Sequence, residues 1–176
     1  MPGVPVRHSV RLRGFDYRSV GAYFVTLNAL RRACLFGDIV DDKMVLNHIG
    51  QIVETCWRAI PDHFARVLLD AFVIMPNHIH GILLKKGARR GTACRAPTER
   101  FGRPVPGSIP TVVRSFKSAA TRETNREKGS SGAPFWQRGY YEHVVRDDEE
   151  LNRIRRYIEE NPLRWALDQE NTARPV

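Results

Sequence analysis

The sequence predicts an α+β fold: a single domain built on a ferredoxin-like antiparallel sheet with helices on one face. Three observations carry this. Apolar runs of strand length alternate with amphipathic helical stretches in the order β(ββ)αββαβα. Two of the runs, residues 67–75 and 78–84, are separated only by Pro76-Asn77, so they form an antiparallel hairpin. At 176 residues, with 42% hydrophobic and 9% aromatic side chains, the chain is long enough for one filled core.

Residues 1–20 are polar, basic and punctuated by Gly and Pro, an arm leading into a domain over 21–168, with 169–176 as a tail. The first strand is Ala22-Tyr23-Phe24-Val25-Thr26-Leu27, rich in β-branched and aromatic side chains. Residues 35–46 pair as a small appended hairpin turning at Asp41-Asp42-Lys43. Asn47 caps a helix whose stripe is Ile49, Ile52, Val53, Cys56 and Ile60, ended by Pro61. The nearly continuous apolar run 67–75, broken by Asp70, predicts a central strand, followed by the strand 78–84.

Residues 85–107 are rich in Gly, Pro, Arg and Thr and read as a mobile basic loop. Ser108, with Pro110 in the first turn, opens a helix with the stripe Val112, Val113, Phe116, Ala119 and Ala120. After a break at Gly129-Ser130-Ser131-Gly132, Phe135-Trp136-Gln137 and residues 140–145 read as extended. Asp147-Asp148-Glu149-Glu150 begins a last helix that stops at Asn161-Pro162, beyond which Trp165 packs back on the body.

Charge points to the partner. The net charge is +9. Twelve Lys/Arg and three Glu lie between Lys85 and Lys128, so that segment holds the whole excess and the rest of the chain balances. A basic segment directly after the histidine-bearing strand 78–84, a candidate metal strand, favours contact with a phosphate backbone. Arg89, Arg90, Arg95 and Arg103 in the loop, then Arg114, Lys117 and Arg122 on the helix, are the candidates. Arg138, Arg153 and Arg156 extend the set, and Trp136 is a candidate platform for unpaired bases. The arginines beside Tyr157 pair equally well with neighbouring glutamates at helical spacing.

Three cysteines, Cys34, Cys56 and Cys94, are odd in number and widely spaced, which excludes a disulfide framework and a zinc-finger pattern. The N-terminus has no apolar signal core, and no apolar run approaches the ~20 residues of a membrane span. A cytoplasmic, nucleoid-associated protein without membrane contact is expected.

The chemistry lies in Met75-Pro76-Asn77-His78-Ile79-His80-Gly81. On a strand, His78 and His80 point to the same face and Ile79 to the other. Two imidazoles on one face form a clamp for a divalent metal. On the last helix Leu151, Ile154 and Ile158 form the buried stripe, Tyr157 lies at its edge, and Asn161 follows one turn later on the same side. If that helix packs beside the histidine strand, His78, His80 and the Asn161 oxygen can hold Mg²⁺ or Mn²⁺ while Tyr157 attacks a phosphodiester. Each residue alone has a plainer reading: a packed tyrosine, a helix stop, a core histidine pair. Tyr140 and Tyr141 are rival nucleophiles that lack an amide partner four residues on.

Several blocks together resemble the REP-associated tyrosine transposases, a branch of the single-tyrosine HUH transposases that act on single-stranded DNA. They are Tyr23-Phe24-Val25-Thr26, the block from Phe72 to Gly81, Ser115-Phe116-Lys117-Ser118, the block from Phe135 to His143, and Arg156-Tyr157-Ile158-Glu159-Glu160-Asn161-Pro162. The resemblance implies that His78 and His80 are the HUH pair, Tyr157 the nucleophile and Asn161 the third ligand. It also implies a ferredoxin-like core, partners that are hairpins formed by repetitive palindromic elements, and action as a monomer or a homodimer. Relatives in mobile elements place a glutamine four residues after the tyrosine; Asn161 matches the REP-associated branch. The segment from Leu27 to Arg32 departs from the family's Thr- and Lys/Arg-rich turns. The function expected is a metal-dependent single-stranded DNA endonuclease and strand transferase. The alternatives are a non-catalytic hairpin-binding regulator on the same fold and a hydrolytic nuclease using water.

Overall fold

Strand β1 (Gly21–Asn28) is the organising element, because its alternation sorts the molecule into two faces. Tyr23, Val25 and Leu27 are fully buried on one side, while Phe24 and Thr26 point to the other. The computed structural model describes residues 15–87 and 105–167. Most of the expected arm and basic loop, with Arg89, Arg90, Arg95 and Arg103, and the whole tail 169–176 lie outside the described residues.

The hairpin β2 (Gly37–Val40) and β3 (Lys43–Leu46) forms a separate two-stranded sheet. Its turn places Asp41 and Asp42 at φ +48° and +58°, the left-handed pair that a two-residue hairpin needs. Helix α1 (His48–Arg58) is capped by Asn47, whose side-chain oxygen accepts from the Gly50 N–H at 2.9 Å. Pro61 does not end the helical stretch: a short helix α2 (Ile60–His63) begins around it. Then come β4 (Val67–Ile74), β5 (His78–Lys85), α3 (Ile109–Glu127), β6 (Tyr141–Val145) and α4 (Asp148–Glu160). Trp136 makes only an isolated bridge to Ala29, so 135–137 is not a strand.

The main sheet has the order β4-β5-β1-β6, with every neighbouring pair antiparallel. This is the split βαβ pattern of the ferredoxin-like class, as expected. Two placements differ from the sequence expectation. Strand β4 is an edge strand, not a central one; its run is apolar because α2 packs on one side of it and α4 on the other. Helices α1 and α3 share one face, whereas α4 covers part of the opposite face.

The α1/α3 face holds the main core, in which Trp57 meets Phe116 edge-to-face at 5.1 Å. Gly81 belongs to this face: a Cβ there would stand 2.4 Å from the Trp57 ring. On the other face Phe24, Ile82 and Ile158 form a smaller cluster flanked by Leu151 and Ile154. Asp70, the break in the apolar run, receives the Arg155 guanidinium through two bonds of 2.9 and 2.6 Å and so pins α4 over β4. That hydrogen-bonded pairing holds the Asp70 carboxyl below its ordinary pKa.

Candidate active site

Register builds the site. Thr26 lies opposite His80 and Asn28 opposite His78, so the two histidines face the side of the sheet that α4 partly covers. Both are buried, and their Nε2 atoms are 3.0 Å apart. Two nitrogens bound to one ion at about 2.1 Å and a right angle are about 3.0 Å apart.

The outer nitrogens are both held. The Asn77 amide donates to the Arg32 carbonyl at 3.1 Å, which turns its oxygen toward His78 Nδ1 at 2.8 Å. An amide oxygen only accepts, so Nδ1 carries the proton and Nε2 the lone pair. Burial, with a lesser push from the Arg32 charge, lowers the His78 pKa to about 4, so the ring is neutral at pH 7. His80 Nδ1 is 2.8 Å from the Thr26 hydroxyl, and its ring stacks on Phe24 at 5.4 Å. Such partners fix ring orientation in histidine metal sites.

Tyr157, on α4, lies with its hydroxyl 3.2 Å from His80 Nε2 and remains 41% exposed. Asn161 caps the end of α4 and is 3% exposed; its side-chain oxygen is buried without a hydrogen-bond partner. A buried orphaned acceptor is costly unless something meets it. The helical turn that follows, Pro162–Leu167, brings Trp165 to 6.0 Å from the His78 ring, as a packing role for that tryptophan requires. Among the described residues no third His, Cys, Asp or Glu joins the histidines. Two imidazoles with converging nitrogens, and one unsatisfied amide oxygen a turn after Tyr157, are donor types that fit a divalent cation with mixed N/O ligation.

No family model matches the chain. An uncharacterized protein of Haemophilus influenzae is 40% identical over 172 residues, spanning 95% of this chain and 94% of that protein. A second protein of the same organism, described as "Putative REP-associated tyrosine transposase", is 26% identical over 151 residues, or 85% of this chain and 74% of that one. The solved structure of a REP-associated tyrosine transposase bound to a REP hairpin has the same fold, with a TM-score of 0.58 at 18% identity, covering 90% of this chain and 74% of the other. The chain thus shares the fold of a REP-associated tyrosine transposase and is distantly similar in sequence to a protein described as a putative one.

The sequence-predicted site residues separate into three groups. His78, His80 and Tyr157 meet, and Asn161 follows one turn after the tyrosine. Arg153 and Arg156 are exposed on the same helix; Arg153 stands 3.7 Å from Glu150. Arg114, Arg122 and Arg138 are also exposed but belong to the α3 side, where Arg122 and Arg138 line an open groove of about 1040 Å³.

Two candidates go to the fold instead. The Lys117 ammonium donates to the Gln137 and Gly139 carbonyls, each at 2.8 Å, and burial lowers its pKa to about 8. Trp136 is 8% exposed, packs against Phe36, Phe116 and Phe135, and donates to the Lys117 carbonyl at 3.2 Å. Its rings fill the core, which corrects the expectation of a base platform there. Asn77 and Thr26 were missed as site residues, although both lie inside the blocks that carry the resemblance.

Proposed function

We propose that the chain is a metal-dependent, single-stranded DNA endonuclease and strand transferase that nicks at repeat hairpins through a covalent phosphotyrosine. The observation that carries this is the Tyr157 hydroxyl 3.2 Å from His80 Nε2, beside a second imidazole nitrogen only 3.0 Å further. A packing tyrosine has no need of two buried, oriented histidines at its oxygen.

His78, His80 and Asn161 are the residues that would hold Mg²⁺ or Mn²⁺, which when bound polarises a non-bridging phosphate oxygen. The Tyr157 hydroxyl gives its proton to solvent as its oxygen attacks phosphorus, its O–P bond forms, and the bond to the leaving strand breaks. The leaving oxygen takes a proton and departs as a free hydroxyl. The phosphodiester energy is kept in the phosphotyrosine, so another strand's hydroxyl can displace Tyr157 and reseal DNA. Arg153 and Arg156 hold flanking phosphates, and the pinning of α4 by Arg155 keeps Tyr157 over His80. The partner is single-stranded or hairpin DNA of the repetitive palindromic kind, bound at the nucleoid by a monomer or a homodimer.

The test is a denaturing gel of protein incubated with labelled hairpin DNA and Mn²⁺. The reading predicts a band at protein-plus-DNA mass that disappears in Tyr157→Phe, a loss of about 10³-fold or more. Cleavage without that band, unchanged by the substitution, would establish a hydrolase. Hairpin binding with no cleavage at all would establish the regulator.

A further inference from the structure

Tyr141 has no part in the chemistry above, yet it stands beside it. It is 46% exposed on the edge strand β6, and no hydrogen bond ties its hydroxyl among the described residues. Its register partner is Thr26, which is itself the partner of His80, so all three share one row and one face of the sheet. With strands about 4.8 Å apart, Tyr141 lies about 10 Å across the sheet from His80. The ring of Phe24 joins three rings of this face: it stacks on His80 and meets Tyr141 and Tyr157 edge-to-face at 6.2 and 6.1 Å. Helix α4 is tied to β4 by Asp70–Arg155 and to β6 by His143–Glu150 at 2.9 Å. Between these ties the sheet face carries an apolar floor, Phe24, with two half-exposed tyrosine rings beside it and the cation Arg153 one turn before Tyr157.

We propose that Tyr141, supported by Phe24, is the stacking subsite for the unpaired nucleobase next to the phosphate that Tyr157 attacks. This rests on the proposed function and adds to it the residue that grips the substrate's base. An exposed ring accepts any base face, contributing about 1–3 kcal/mol per base, roughly 5- to 150-fold in affinity. The subsite selects unpaired DNA because a base in a duplex offers no free face.

The experiment compares binding of native protein, Tyr141→Phe and Tyr141→Leu to two probes of equal length without added metal: oligothymidylate and a fully abasic oligonucleotide. The probes carry the same phosphates and differ only in bases. The expected result is a loss of about tenfold for Tyr141→Leu on oligothymidylate, none on the abasic strand, and native affinity for Tyr141→Phe on both. Leucine preserves apolar bulk on an exposed strand position, so a folding defect would lower both probes alike, and that outcome overturns the proposal. Equal affinities for all three proteins on oligothymidylate also overturn it while leaving the proposed function standing. If native protein binds neither probe, the subsite is overturned, while the proposed function is decided separately on hairpin DNA.

Discussion

The two faces of the sheet are built from the same strands and do opposite work. On the α1/α3 face, Tyr23, Val25, Leu27, Ile79 and Leu83 close on Trp57 and Phe116 with almost no exposure. On the α4 face the residues in between pass from a small apolar cluster, with Phe24 and Ile82, directly into the polar group Thr26, His78 and His80. Alternation at period two lets one strand supply stability through odd positions and chemistry through even ones. Stability and activity should therefore separate by residue parity.

The sharpest separation pairs His80→Ala with Trp57→Ala. His80→Ala should abolish nicking and leave hairpin affinity and Tm near native, whereas Trp57→Ala should cost about 3–5 kcal/mol of stability. Denaturant melts and nicking assays on both variants check this, and equal stability losses would break the division. A smaller effect belongs to the residues that orient the histidines. Asn77→Leu and Thr26→Val should weaken Mn²⁺ binding by about 10–100-fold, read from free Mn²⁺ by electron paramagnetic resonance. Unchanged binding in both would show that the rings need no orienting partner.

The smallest effect concerns the tie between the edge strand β4 and helix α4. Asp70 is held below its usual pKa by the Arg155 hydrogen bonds, so the pair stabilises above the ordinary aspartate pKa and fades as pH falls through the folded value. Arg155→Ala should lower Tm modestly at pH 7 and converge with native protein on acidification. A Tm difference independent of pH would remove Asp70 from the account.

Much of this was legible in the chain. Periodicity carries the element order, and the hairpin at Pro76-Asn77 with the His-x-His spacing puts both imidazoles on one face. The stripe of α4 left Tyr157 at its edge, where it lies. What was not legible depends on pairing across long separations. Asp70 and Arg155 are 85 residues apart, and an apolar run covered on both faces reads the same at a sheet's edge as at its centre. Trp136 and Lys117 have the residue types of a nucleic-acid surface, but the fold turns both inward. Tyr141 reads as a rival nucleophile in one dimension, and only its register with Thr26 sets it beside the site.

The central claim is that Tyr157 becomes covalently joined to DNA. The most direct measurement digests the trapped protein–DNA adduct with trypsin and locates the attached nucleotide by mass spectrometry. The account predicts the nucleotide on the peptide from Tyr157 to Arg164, attached to the tyrosine oxygen. A nucleotide on the peptide from Gly139 to Arg146, which carries Tyr140 and Tyr141, would contradict it.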